Sequence, residues 1–158
     1  MTQEKKQEYT LRLSQANKTQ MITIIYEMVV DYLDEAIDHI AIGKRNDALA
    51  SIDHAQSCID ELLHSLDFRY ELAWNLRKLY LFSKKELLVA GATGSSHRIW
   101  RVKKNFAELQ NAYKELEKFD ESGSLMGNTQ KVFVGMTYGK YSLNEDVTAV
   151  SMNRGLMA

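Results

Sequence analysis

Apolar residues recur at helical spacing from about residue 18 to residue 119, after which the period changes. A helix advances about 100° per residue, so each stretch can be laid on a wheel. The first predicted helix covers residues 18–42. Met21, Ile22, Ile25, Met28, Val29, Tyr32, Leu33, Ala36 and Ile40 share a face, which Tyr26, Val30 and Ile37 widen to around half the circumference. Glu27, Asp31, Asp34 and Asp38 form an acidic stripe opposite, expected to face solvent and to contribute little. The second helix, 47–65, turns Leu49, Ile52, Ile59, Leu62, Leu63 and Leu66 inward. The third covers 69–90. The fourth, 96–119, lines up Ile99, Val102, Phe106, Leu109, Tyr113 and Leu116.

The boundaries carry their own signals. Asn17 and Gln20 have the spacing of a capping box, and Gly43 suits the position just past a helix end. Asn46 or Asp47 is expected to cap the second helix. Residues 91–96 read as an interhelix loop with a serine to cap the fourth helix. Proline, the commonest helix breaker, is absent from the whole chain. Residues 1–16 read as a polar N-terminal arm with Tyr9, Leu11 and Leu13 at alternate positions. Residues 121–128 have the glycine and serine content of a linker. Residues 131–138 are β-branched and aromatic, and Gly139-Lys140 suits a hairpin turn into Tyr141-Ser142-Leu143. The expected fold is all-α: an antiparallel four-helix bundle over 17–120, with an N-terminal arm at 1–16 and a linker and β-like C-terminal tail over 121–158. Connections as short as Gly43 to Asn46 leave no room for crossovers.

The third helix departs from the pattern of its neighbours. Leu72, Leu76, Leu79, Ser83 and Leu87 fall on one face, while Tyr70, Trp74, Leu81 and Leu88 form a second stripe roughly 130° or more away. One apolar stripe suffices to join a core. Two imply burial on both sides, a cover supplied by the arm or tail, or a side kept for a partner, since exposed apolar grooves receive partner helices. The wide face of the first helix, with Tyr26, Val30 and Ile37, carries the same alternatives: contact with two neighbours or surface held for a partner.

Composition narrows the class. A chain of 158 residues with 45% hydrophobic and 26% charged residues is one domain with a real core. No run approaches the roughly 18 apolar residues of a membrane span, so no membrane insertion is expected. The first eight residues lack the pattern of a signal peptide, and one cysteine, Cys58, fits a reducing compartment; the cytoplasm is the expected location. Net charge is −1, which gives no general pull toward nucleic acid. The charges are nevertheless segregated. From Glu27 to Glu71 there are 11 acidic residues against three basic, and from Arg77 to Lys104 eight basic residues against Glu86 alone. Attraction between early and late helices is the favoured account of that split.

Catalytic chemistry finds little support. Glu61 and His64 have the Glu-x-x-His spacing of di-iron bundles, yet the motif occurs once, and both point well over 90° from the apolar face. His39, His54 and His97 have no placed carboxylate or nucleophile, and Cys58 flanks its apolar stripe as a small core-edge residue. Residues 91–96 lack the lysine and strand context of a phosphate loop. No enzyme activity, metal or cofactor is expected.

The order Leu66-Asp67, Leu72-Ala73, Asn75-Leu76 and Leu79-Tyr80 resembles the signature of the flagellar export chaperone family FliS. Asn17, then Met21-Ile22 and Ile24-Ile25-Tyr26, stands where that family has a Ser-Pro helix start and a Met-Leu-Tyr stretch. Ala55-Gln56, Ile59 and Leu62 are similar to its second helix. The likeness spans roughly 17–118, with Lys18 in place of the helix-start proline and Tyr9 a loose match to the family's tyrosine-bearing arm. It implies an antiparallel four-helix bundle that binds the C-terminal segment of flagellin in the cytoplasm, stops it polymerising early and delivers it to the flagellar export apparatus. Tyr26, Val30, Ile37, Tyr70, Trp74, Leu81 and Leu88 are the candidate partner-binding residues. The tail beyond Leu125 lies outside the likeness; it is expected to lie on the bundle or on a neighbouring copy, as a removable cover or a route to a homo-oligomer.

Overall fold

A computed structural model describes residues 1–126, and Met1–Leu125 form one compact unit. The described residues are all-helical. Five α-helices, α1 (Gln3–Gln15), α2 (Lys18–Ala41), α3 (Arg45–His64), α4 (Glu71–Thr93) and α5 (Ser96–Leu116), precede a single 3-10 turn at Glu117–Phe119. The β-like tail and its hairpin lie outside the described residues. The longest helix, α2, is the centre of the bundle: it packs on α3, on α5 and on α1, while α4 touches α3 and α5 and is less deeply embedded. Val29, Leu33, Ala36, Ile59, Leu62, Leu87, Ile99, Val102 and Phe106 form a shared buried core.

The caps explain why the helices start and stop there. Asn17 accepts a hydrogen bond from the Gln20 backbone (2.9 Å), and the Gln20 side chain accepts one from the Asn17 backbone (3.0 Å). Gly43 and Gly94 adopt φ of 75° and 72°, the left-handed geometry that ends α2 and α4. Ser95 caps α5 by accepting from the Arg98 backbone. Two expected boundaries are corrected. The N-cap of α3 is Lys44, not Asn46 or Asp47, and it makes no side-chain cap. Its neighbour Arg45 instead donates to the Gly91 and Ala92 carbonyls at the far end of α4 (2.8 and 2.9 Å). The loop expected at 91–96 shrinks to Gly94-Ser95, because α4 continues through Gly91. That glycine is buried, and a Cβ there would stand 3.1 Å from the Leu49 side chain, so its role is close approach to α3.

The polar arm is also corrected: it is helix α1, capped by Thr2, which accepts from the Lys5 backbone (3.2 Å). Tyr9, Leu13 and Ala16 recur at helical spacing, and Tyr9 and Ala16 pack with Ile24 in a small second cluster, whereas Leu11 faces water. The acidic stripe of α2 is where α1 docks. The Tyr9 hydroxyl donates to Asp31, Lys5 pairs with Asp31 (2.8 Å), and Arg12 pairs with Glu27 (2.6 Å). Burial and the Asp31 carboxylate hold the Tyr9 hydroxyl protonated, far above its ordinary range. Half of the stripe is therefore interface with α1; Asp34, though exposed, pairs with Lys103 of α5 (2.6 Å), and Asp38 faces solvent. Asp31→Ala is expected to loosen α1 by about 1–3 kcal/mol, because it leaves a buried hydroxyl without its acceptor. Asp38→Asn is expected to change little. Amide hydrogen exchange of residues 3–15 distinguishes the two; equal protection in both variants would show that the apolar cluster alone holds α1.

The start of the linker is also anchored. Leu125 donates its backbone N–H to the Ala16 carbonyl (2.8 Å), and the Asn17 amide reaches the Ser122 carbonyl (3.3 Å). The Thr19 hydroxyl donates to Asp120 (2.6 Å); the Ser122 hydroxyl first, and Thr19 after it, hold that carboxyl down at about 2.

Candidate partner-binding face

Helix α4 divides into two sides. Ala73, Leu76, Tyr80, Ser83, Leu87, Ala90 and Gly91 are buried against the bundle. Tyr70, Trp74, Leu81 and Leu88 are exposed together, so the second stripe of the wheel is surface. Leu72, placed by the wheel with the inner stripe, is exposed at 57%, because the first turn of α4 lies at the bundle's edge.

The entry to α4 is organised around Trp74. Asp67 accepts the Arg69 backbone N–H (3.1 Å) and pairs with its guanidinium (2.5 Å), which shapes the turn and holds the Asp67 carboxyl down at about 2. That turn brings Phe68 onto the Trp74 ring, centroids 4.7 Å apart. The Trp74 indole N–H donates to the Phe68 carbonyl (3.1 Å). The indole is thus fixed in orientation, with its polar atom satisfied and 53% of the residue still in water. The Arg69 guanidinium lies over the Tyr70 ring, 6.0 Å from its centroid. Leu81 and Leu88 continue the stripe at seven-residue steps, two turns apart. Phe68, also exposed, extends the surface; it shows no signal in the sequence because it precedes the helix whose period would reveal it.

The α2 candidates lie elsewhere. Tyr26 is fully buried and is corrected from partner-binding to core. Its hydroxyl meets that of Tyr80 (2.5 Å), and its ring packs on Phe106 and edge-on to Tyr113. Burial raises the Tyr26 hydroxyl strongly and pushes that of Tyr80 up to about 12, so both stay neutral. Val30 and Ile37 are half-buried against the same core. The wide face of α2 is accounted for by neighbours on several sides, since α1, α3 and α5 all pack on it.

Glu61 and His64 are exposed on α3. Burial and nearby Glu61 raise the Cys58 thiol to about 11, which keeps it in its weakly nucleophilic form. Among the described residues no group of three or more His, Cys, Asp or Glu side chains is placed to hold a metal ion. No described helix is long and apolar enough to cross a membrane. What the face offers is a rigid, laterally extended apolar strip with aromatic anchors at one end, suited to the apolar side of another helix.

A family model described as flagellar protein FliS matches residues 1–120. No curated protein matches the chain.

Proposed function

The chain belongs to the flagellar protein FliS family of flagellar export chaperones, and from that premise we propose that it binds the C-terminal helical segment of flagellin on the outer face of α4. Filament-forming segments pack through apolar faces, and an unassembled subunit exposes them to one another. Covering such a segment on a separate carrier blocks that self-association. The segment becomes ordered as it binds, so part of the contact energy goes into folding it. In this reading the chaperone works in the cytoplasm, keeps flagellin from polymerising early and hands it to the export apparatus.

The observation that best supports this is the Trp74 indole, held by Phe68 and left half in water at the head of a stripe continued by Leu81 and Leu88. A ring already fixed in orientation loses little side-chain freedom on binding, which favours affinity. Val30 and Ile37, half-buried on α2, line the route only if the client reaches past α4.

Mixing the purified protein with flagellin's isolated C-terminal segment provides the test. The expected result is a complex on gel filtration with more helix by circular dichroism than the two components sum to. Flagellin lacking that segment should show no complex. Stable binding of the truncated flagellin, or none of the segment, would transfer the face to a different helical partner.

A further inference from the structure

Internal pairing uses up only part of the chain's segregated charge. Of the eight basic residues between Arg77 and Lys104, Lys84 pairs with Asp60 on α3, Lys103 with Asp34 on α2 (2.6 Å) and Arg98 with Glu86 (2.6 Å). Lys104 makes only a loose, exposed contact with Glu108 at 3.8 Å. Arg77, Lys78, Lys85 and Arg101 have no ion pair among the described residues, and all four are exposed on α4 and α5. Attraction between early and late helices therefore accounts for a minority of this basic surface.

Two of these basic residues, Arg101 and Lys104, border a groove. On the α4 wheel Phe82 stands roughly 80° from Trp74, on the side toward α5. There Phe82 and Trp100 form the apolar walls of an open cavity of about 280 Å³, with Arg101 and Lys104 at its rim. Phe82 and Trp100 are 44% and 47% exposed. The His97 ring lies nearly parallel to Trp100, 6.2 Å away, and helps to set its orientation. The one acidic group of the groove, Glu86, is engaged by Arg98 with its side chain only 14% exposed. The groove is apolar on its walls and positive at its edge.

We propose that this α4–α5 groove binds an acidic peptide segment of another protein, with a bulky apolar residue between Phe82 and Trp100 and carboxylates on Arg101 and Lys104. Charge complementarity selects the partner: Arg101, with no ion pair among the described residues, and Lys104, held only loosely by Glu108, steer acidic segments in and reject basic ones. The cavity is a single compartment, suited to one anchoring side chain, whereas a nucleic-acid strand needs a continuous basic track. The acidic surface of α2 and α3, carrying most of the 11 acidic residues between Glu27 and Glu71, would repel an extended polyanion or an anionic membrane. The site is separate from the Trp74 stripe and does not depend on which client that stripe receives.

The test uses the full chain and four labelled probes. These are a short peptide of alternating glutamate and leucine, its lysine-for-glutamate counterpart, single-stranded oligothymidylate, and phosphatidylserine vesicles. The glutamate peptide is expected to bind most tightly, with affinity falling as salt rises. Arg101→Glu and Lys104→Glu should each weaken it about tenfold, with circular dichroism and melting temperature unchanged. Trp74→Ala should leave it intact, and Arg101→Glu should leave flagellin-segment binding intact, so the two sites fail independently. Equal binding of the lysine peptide, tighter binding of the oligonucleotide or vesicles, indifference to both charge reversals, or loss of the glutamate peptide in Trp74→Ala would each overturn the proposal.

Discussion

Trp74→Ala is expected to weaken binding of the flagellin C-terminal segment about thirtyfold or more, equivalent to at least about 2 kcal/mol, while the thermal melt barely moves. The asymmetry comes from where the side chain sits. In the free protein the indole touches mainly Phe68 and is half in water, so its removal opens no cavity in the bundle. Alanine is a better helix former than tryptophan, so the first turn of α4 loses nothing by the exchange. In the complex the same ring passes from wet to buried, where large aromatics dominate binding energy. Phe68→Ala should show a weaker form of the same effect, because it frees the indole to rotate without removing it. Isothermal titration calorimetry beside differential scanning calorimetry separates the two quantities. An unchanged affinity would remove Trp74 from the interface; a melt lowered by many degrees would show that it supports the fold.

Most of the architecture was legible in the sequence because α2 to α5 are long and strongly periodic, and their ends carry Asn17, Gly43, Gly94 and Ser95. Helix α1 was not, since its contact with the bundle consists of Tyr9, Leu13 and Ala16 set among charged and polar residues. Its polar contacts fall on α2, and a wheel drawn for α2 alone shows Glu27 and Asp31 as an outward stripe with nothing to reveal Arg12 and Lys5 opposite. The two stripes of α4 were visible, and choosing between burial and exposure needed the neighbours. Tyr26 shows the limit in the other direction. A tyrosine at the edge of a wide face has the same sequence signature whether its hydroxyl reaches water or, as here, another buried hydroxyl on Tyr80.

The largest loss of stability is expected from Phe106→Ala. The ring is fully buried, stacked on Tyr80 at 6.0 Å and tilted against Tyr26 at 5.9 Å, so α2, α4 and α5 meet through it. Truncation removes its transfer energy and leaves a cavity that three packed helices cannot easily close, a loss of about 3–5 kcal/mol. For a domain of this size that lowers the melting temperature by more than about 10 °C. Tyr26→Phe should lose less, about 1–3 kcal/mol, through the Tyr80 hydroxyl left without its partner. Phe106→Ala also separates core from surface. Tyr80 is on the inner side of the helix that carries Trp74 on its outer side, so loosening the core lowers the fraction of molecules with α4 in place. Below its melting range Phe106→Ala should bind the flagellin segment with nearly the original affinity and should gain stability when the segment is added, since the ligand favours the folded form. A loss of affinity at low temperature comparable with that of Trp74→Ala would show that the inner and outer faces of α4 are coupled, and that the stripe depends on the aromatic cluster beneath it.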